Sequence, residues 1–309
     1  MAWAQVRFRV LMGQEQEVMQ NMKTKKKDFS AYAFMLPAFI IYISVIIFPV
    51  GYSLYISLHS GSGVGGMSFV GLTNYINLFQ DKVFYVALKN NLIWIFLTVC
   101  VTMTVSLALA VLLNNKFRGR TFFRAFFYFP CVVAGIAVAL IWRWIYNPNI
   151  GFINEFFRAI GVDFSQTWIS NEKTAMIALF VAALWQAIGQ PMILFLAGLQ
   201  AVSVDVLEAA SIDGANAVQK FFRVTLPLMK DTFIMVIAIL VISAMKVYDI
   251  VKGLTDGGPN NATQMLSTYM YSQAFDYNNV GYGTTIAIVM VLIMLVVIIP
   301  YLSFTTKNN

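Results

Sequence analysis

Six stretches of this chain stay apolar for about the thickness of a lipid bilayer, and that leaves few folds open. They cover about residues 32–54, 92–113, 122–146, 175–199, 232–251 and 284–305. A helix needs roughly 20 mostly apolar residues to cross the hydrocarbon core. Of the 309 residues, 59% are hydrophobic and 11% are charged, against about 25% charged in an ordinary soluble domain. Lipid offers the backbone no hydrogen-bond partners, so a crossing segment is a helix or part of a closed barrel. The strict alternation of barrel strands is absent. The expectation is an all-α integral membrane protein with six transmembrane helices, a transmembrane domain over 31–306 and an arm over 1–30.

Charge placement orients such a bundle. The formal net charge is +7, and its distribution speaks of membrane topology rather than of nucleic acid. Lys and Arg concentrate on alternate connections: Arg7, Arg9, Lys23, Lys25, Lys26 and Lys27 before the first span; Lys116, Arg118, Arg120 and Arg124 around the second connection; Lys220, Arg223 and Lys230 around the fourth; and Lys307 at the end. Positive residues are retained on the cytoplasmic side. Both termini and the segment of about 201–231 are therefore expected in the cytoplasm. Residues 1–30 lack the apolar core and cleavage pattern of a signal peptide, so the first span reads as an uncleaved anchor. Residues 1–22 look poorly integrated with the rest.

Several chemistries find no support. No G-x-x-x-x-G-K-[ST] phosphate loop occurs, so the chain has no evident means of hydrolysing ATP. Gly61-Ser62-Gly63-Val64-Gly65-Gly66 matches a dinucleotide fingerprint only formally; it follows a span and reads as an outer loop. His59 is the only histidine and is expected to be a solvated outer residue. Cys100 and Cys131 lie in apolar runs without metal-ligand spacing. Neither catalytic nor metal-binding residues are assigned.

The connection between spans four and five is too long for a plain link between packed helices. It carries Glu208-Ala209-Ala210-Ser211-Ile212-Asp213-Gly214 and, nine residues later, Val224-Thr225-Leu226-Pro227. Small alanines allow close backbone approach beside two carboxylates. Gly214 is placed to end a short helix, Asn216 to start the next, and Pro227 to break that one before the last membrane hairpin. A helix that merely lies on lipid wants large apolar and basic residues. Small and acidic ones suit a protein groove.

This pattern resembles the EAA loop of ABC-importer permeases, with Val224 where that family carries Ile. The likeness extends over about 30–305. Leu254-Thr255-Asp256-Gly257-Gly258-Pro259, with Tyr269-Met270-Tyr271 and Ala274-Phe275, narrows it to the carbohydrate group, the maltose- and glycerol-phosphate-like binding-protein-dependent systems. The resemblance implies the type I permease architecture in a bacterial-type cell membrane. It implies a second homologous permease subunit, two cytoplasmic ATPase subunits that hold ATP and Mg, and an extracytoplasmic solute-binding protein. No cofactor is expected on this chain. Glu208, Ala209, Ala210, Asp213, Gly214, Leu226 and Pro227 become the ATPase-coupling residues. The implied function is import of a carbohydrate, an oligosaccharide or related sugar, by alternating access. The alternatives are the same machinery with a polyol phosphate, or a secondary transporter.

Polar residues inside spans are expensive and often functional. Span four offers Trp185, Gln186 and Gln190, with a kink expected at Gly189 and Pro191. Span five offers Ser243, Lys246, Tyr248 and Asp249. Lys246 and Asp249, three apart, would share a helix face, either as an ion pair between helices or as a cavity-lining pair for sugar hydroxyls. Gln186 and Gln190 could equally serve interhelical hydrogen bonds. Trp142 and Trp144 are expected in the interfacial aromatic belt.

Overall fold

The computed structural model describes residues 29–63, 65–162 and 166–306. The arm residues 1–22, the basic residues Arg7, Arg9, Lys23, Lys25, Lys26, Lys27 and Lys307, and Val64 lie outside them. The chain divides into two compact units, residues 1–53 and 54–309, each taken here by itself.

In the first unit the described chain is helical from Phe29, through a π turn at Ile43–Ile47, into the helix that starts at Phe48. Pro49 follows the π turn by two residues. A proline inside a helix lacks an N–H and clashes with the carbonyl four residues earlier. One widened turn lets the Phe48 amide reach back to the Ile43 carbonyl, so the helix absorbs the ring without stopping.

Three helices are long and apolar enough to cross a membrane alone: Phe34–Ser57, Lys82–Asn114 and Val280–Tyr301. Three further crossings arise if each of three bent helix pairs is one span. Arg120–Val132 and Gly135–Ile145 meet at 101°, Glu172–Ala187 and Gly189–Ala201 at 46°, and Ala217–Leu228 and Lys230–Met245 at 69°. The second span begins about ten residues earlier than hydropathy alone suggests. Its first turns carry Lys82, Lys89, Asn90 and Asn91, and the Asp81 carboxylate caps it by accepting from the Val83 amide at 2.8 Å.

A bend in lipid frees backbone carbonyls that must find donors, and here neighbouring spans supply them. The third span breaks at Val133–Ala134, and the Gln186 side-chain amide of span four donates to the Val133 carbonyl at 2.8 Å. The fourth breaks at Ile188, where Pro191 cannot donate to the preceding turn. The Ser106 hydroxyl of span two adds a 2.9 Å bond to the Ile188 carbonyl, which also accepts from the Met192 amide at 3.1 Å. Each side chain is thus bonded to the break of another span.

Span five ends at Met245, not near 251 as hydropathy suggests. Lys246 and Tyr248 leave helical geometry, and Asp249 opens a separate short helix, Asp249–Leu254. The freed carbonyls of Ala244 and Val247 are taken by Asn91 and by Ser267. The same Asn91 side chain accepts from the Leu266 amide at 2.7 Å, and Asn90 donates to the carbonyls of Asn261, Ala262 and Gln264. Two adjacent asparagines of span two therefore fasten the connection between spans five and six. The short helix lies tight on Gly135–Ile145: a Cβ on Gly253 would sit 2.6 Å from that of Ala139. The Gly258–Pro259 bond in this connection is cis.

Three apolar cores hold the second unit. One gathers around Trp94, Leu179, Val251 and Met265, one around Leu78, Phe84, Leu266 and Ile286, and one around Met192, Phe195, Val236 and Leu240. Beside the second core, Tyr269 and Tyr282 both donate to the Asp81 carboxylate. Burial alone would raise that carboxyl's pKa, but the two phenols and the amides of Val83 and Phe84 outweigh it and hold it below the ordinary value. His59 is buried rather than solvated. Its ring packs between Tyr55 and Phe69, and Nδ1 lies 2.8 Å from the Tyr55 carbonyl.

Candidate functional site

The connection between spans four and five forms a small, fully capped unit. Ser203 starts the helix Val204–Ile212 by accepting from the Asp205 amide. Gly214, with φ at +81°, stops it. The Gly214 amide donates to the Ser211 carbonyl at 3.1 Å and the Ala215 amide to the Ala210 carbonyl at 3.0 Å, the paired bonds of a Schellman cap. Asn216 then caps the next helix, exchanging 2.9 Å bonds with Gln219 in a capping box. Lys220 Nζ ties the two helices by donating to Ser211 Oγ at 3.0 Å.

Little of this unit is covered. No residue of Val204–Ile212 is buried, and Ile212 is 87% exposed. Glu208, Ala209, Asp213 and Gly214 are exposed and Ala210 partly so. Among the described residues neither Glu208 nor Asp213 has an ion-pair partner. A cleft of about 370 Å³ between the helices is lined by Ala210, Asp213, Gly214, Ala215, Gln219, Arg223 and Val224. Fully capped backbone carrying uncovered apolar and acidic side chains is the make-up of a rigid docking knob.

Pro227 does not break the second helix. A π turn at Phe221–Thr225 precedes it, the Leu226 amide reaches the Phe221 carbonyl, and the helix continues to Leu228. The 69° bend falls at Met229. The physical solution is the one found before Pro49. Leu226 and Pro227 also line an apolar groove with Phe233, Ile237 and Tyr301.

A second feature lies within the bundle. A cavity of about 280 Å³ sits between spans two, three, four and five. Gln186, Gln190 and Ser243 line it with Ala183, Ala187, Pro191 and Val247. Trp185 does not. It turns into the first core and packs edge-on against Trp142 at 6.2 Å, which places Trp142 inside the bundle; Trp144 remains exposed.

Lys246, Tyr248 and Asp249 also stand away from this cavity. Because the helix ends at Met245, Lys246 and Asp249 share no helix face, and among the described residues they form no ion pair with each other. Asp249 instead abuts Gly135, whose Cβ, if present, would lie 2.8 Å from that of Asp249. Tyr248 packs at a tilt against Tyr271 at 5.1 Å, and Tyr271 against Phe275 at 4.7 Å. Burial, with Tyr271 beside it, pushes the Tyr248 phenol up to about 12, so it stays a neutral hydrogen-bonding group. Lys252 lies near the same rings, paired with Asp256 at 2.7 Å and Asp276 at 3.4 Å.

Span two supplies cavity residues that sequence reasoning missed: Trp94, Thr98 and Thr102. They recur every four residues and all are buried. That spacing was the available signal, an aromatic and two hydroxyls on one face of an otherwise apolar run.

Residues 101–306 match the family described as binding-protein-dependent transport system inner membrane component. A probable ABC transporter permease of Pyrococcus horikoshii is 34% identical over 278 residues, covering 89% of this chain and 95% of that protein. The multiple sugar-binding transport system permease MsmF of Streptococcus mutans is 32% identical over 278 residues, covering 89% and 95%. The arabinooligosaccharides transport system permease AraP of Bacillus subtilis is 34% identical over 274 residues, covering 88% and 87%. A solved bacterial ABC transporter involved in import of the acidic polysaccharide alginate shares the fold, with a TM-score of 0.79 at 20% identity, covering 94% of this chain and 99% of that one.

Proposed function

The chain belongs to the binding-protein-dependent transport system inner membrane component family, and from that premise we propose that its cargo is a carbohydrate, an oligosaccharide or related sugar. It is a membrane permease subunit of an ABC importer, and ATP hydrolysis lies on separate subunits. Among its relatives, MsmF is named for multiple sugars and AraP for arabinooligosaccharides. The observation that carries the cargo reading is the cavity wall. It offers amides and hydroxyls from Gln186, Gln190, Thr98, Thr102 and Ser243 around the Trp94 ring, and none of its described residues is charged. Side chains that both donate and accept suit sugar hydroxyls. A polyol phosphate calls for Lys or Arg near its anion, so this wall favours the neutral cargo.

The capped unit around Glu208–Gly214 is the seat of an ATPase subunit. Glu208, Ala209, Ala210, Asp213 and Gly214 present its surface, and Leu226 and Pro227 carry its motion toward span five. The positive-inside bias puts this surface in the cytoplasm with both termini. A second, homologous permease subunit completes the pathway, two ATPases holding ATP and Mg bind beneath, and an extracytoplasmic binding protein delivers the sugar. ATP binding draws the two coupling surfaces together and rocks the spans as rigid bodies, a recognised switching mode. It drives transport because ATP favours one state over the other.

The test is calorimetric screening of the cognate binding protein against neutral oligosaccharides and polyol phosphates. Binding of a neutral sugar followed by ATP-dependent uptake in proteoliposomes is the expected result. Exclusive binding of a phosphate ester refutes the cargo assignment. Labelling of a cysteine at position 208 from the outer face refutes the coupling assignment.

A further inference from the structure

Thr102 carries an unexplained feature. Its side chain is 1% exposed and lines the 280 Å³ cavity, yet its hydroxyl has no hydrogen-bond partner. Buried hydroxyls are almost always bonded, and one left unpaired calls for a reason. Thr98 and Thr102 are also the two ends of a π turn in the middle of span two. A proline follows the π turns at Ile43–Ile47 and Phe221–Thr225, but none follows this one or the one at Ser272–Asp276. Single π turns inside α-helices frequently mark functional positions, and here the turn sets both threonines in the cavity wall. A helical threonine divides between two χ1 wells, so the Thr102 hydroxyl has a second rotamer open to it. Opposite it, Gln186 is already committed to the Val133 carbonyl. That bond uses one N–H of Gln186 and leaves its second N–H and its oxygen for cargo, beside the unbonded Thr102 hydroxyl.

We infer that Thr102, assisted by Thr98 and the Trp94 ring, is a cargo-contacting residue whose hydroxyl is satisfied only when a sugar hydroxyl fills the cavity. The inference rests on the carbohydrate reading above and assigns span two a part in recognition. It also fixes an unusual pair of signs. Replacing an unsatisfied buried hydroxyl by an isosteric methyl relieves a desolvation cost in the empty protein, while removing a contact from the loaded one.

The experiment uses the complete transporter, with partner permease, ATPases and binding protein, in proteoliposomes. Radiolabelled maltotriose, arabinotriose and trehalose are offered, and thermal unfolding is followed in parallel. For Thr102→Val, kcat/KM for uptake should fall roughly three- to tenfold, the range for one neutral hydrogen bond, while the thermal midpoint holds or rises. Thr102→Ser should stay within about twofold of wild type. Wild-type uptake with an unaltered kcat/KM in Thr102→Val overturns the inference and spares the carbohydrate reading, as does a lowered midpoint, the mark of a hydroxyl bonded within the bundle. Wild-type failure on all three sugars overturns both. Should Thr102→Val not assemble, Thr102→Cys in a Cys100→Ser, Cys131→Ala background decides: a cargo contact must react with a small water-soluble methanethiosulfonate, and an unreactive thiol overturns the inference.

Discussion

Replacing Gly214 isolates the role of the coupling cap from every other effect. Its φ is +81°, and a Cβ built there has nothing within 4 Å. Gly214→Ala therefore creates no clash within this chain; its effect there is the left-handed backbone. An L-residue in that region costs about 1–2 kcal/mol, whereas Asn visits it readily through local hydrogen bonding. The two Schellman bonds, from Gly214 to Ser211 and from Ala215 to Ala210, are all that the strain opposes. A cost of about 1–2 kcal/mol shifts the capped population about 5- to 30-fold at 25 °C. Because no residue of Val204–Ile212 is buried, the shift falls on the cap and spares the bundle. The assay is ATP hydrolysis by the reconstituted transporter, stimulated by sugar-loaded binding protein. Gly214→Ala should lose most of the stimulation, Gly214→Asn should keep most of it, and both should melt within about a degree of wild type. Equal stimulation in the Ala and Asn variants refutes the argument, because the only property separating them here is tolerance of that φ.

Other outcomes follow from the bends and the half-buried Asp81 carboxylate. Gln186→Leu strips the donor from the Val133 carbonyl and should lower stability by about 1–3 kcal/mol, read by thermal unfolding in detergent; Ser106→Ala should cost less, about 1 kcal/mol or under, because the Ile188 carbonyl keeps the Met192 amide. The Asp81 carboxyl is held below its usual value of 3.8, so its stabilising contribution is complete above about pH 4 and is lost as pH falls through the depressed native value. Asp81→Asn should lower stability at neutral pH and flatten the acid limb of a melting-versus-pH curve below about pH 4. Asp213→Ala should reduce stimulated ATP hydrolysis without moving the melting transition, because the Asp213 side chain is exposed and has no ion-pair partner among the described residues.

What the sequence disclosed tracks how local the physics is. The cap at Gly214 and the box at Asn216–Gln219 are set by residues within a few positions; the sequence pattern pointed to Gly214 as a stop and Asn216 as a start, though not to the reciprocal bond from Gln219. The six apolar runs were equally plain, because hydropathy sums over neighbours. The end of span five was not. Apolar character continues past Met245, and the stop is enforced by Asn91 and Ser267, far away in the chain. Reading Lys246 and Asp249 as one helix face failed for that reason. The break at Pro191 was foreseen, but the larger one at Val133 depends on an amide 53 positions away. Thr98 and Thr102 went unnoticed because a threonine in an apolar run gives no sign of whether its hydroxyl is bonded. His59 was misjudged because solvent exposure was inferred from its place in a loop, while the pairing of residues 59–60 with 68–69 folds two rings over it.

The curvature of the third and fourth crossings is not written in those crossings alone. Gln186 on the fourth steadies the corner of the third, and Ser106 on the second steadies the corner of the fourth. Hybrid permeases assembled by trading one helix at a time between relatives should thus come out misshapen wherever the donor helix arrives without its supporting amide or hydroxyl. Blocks exchanged from the second crossing through the fourth would carry each corner together with its prop.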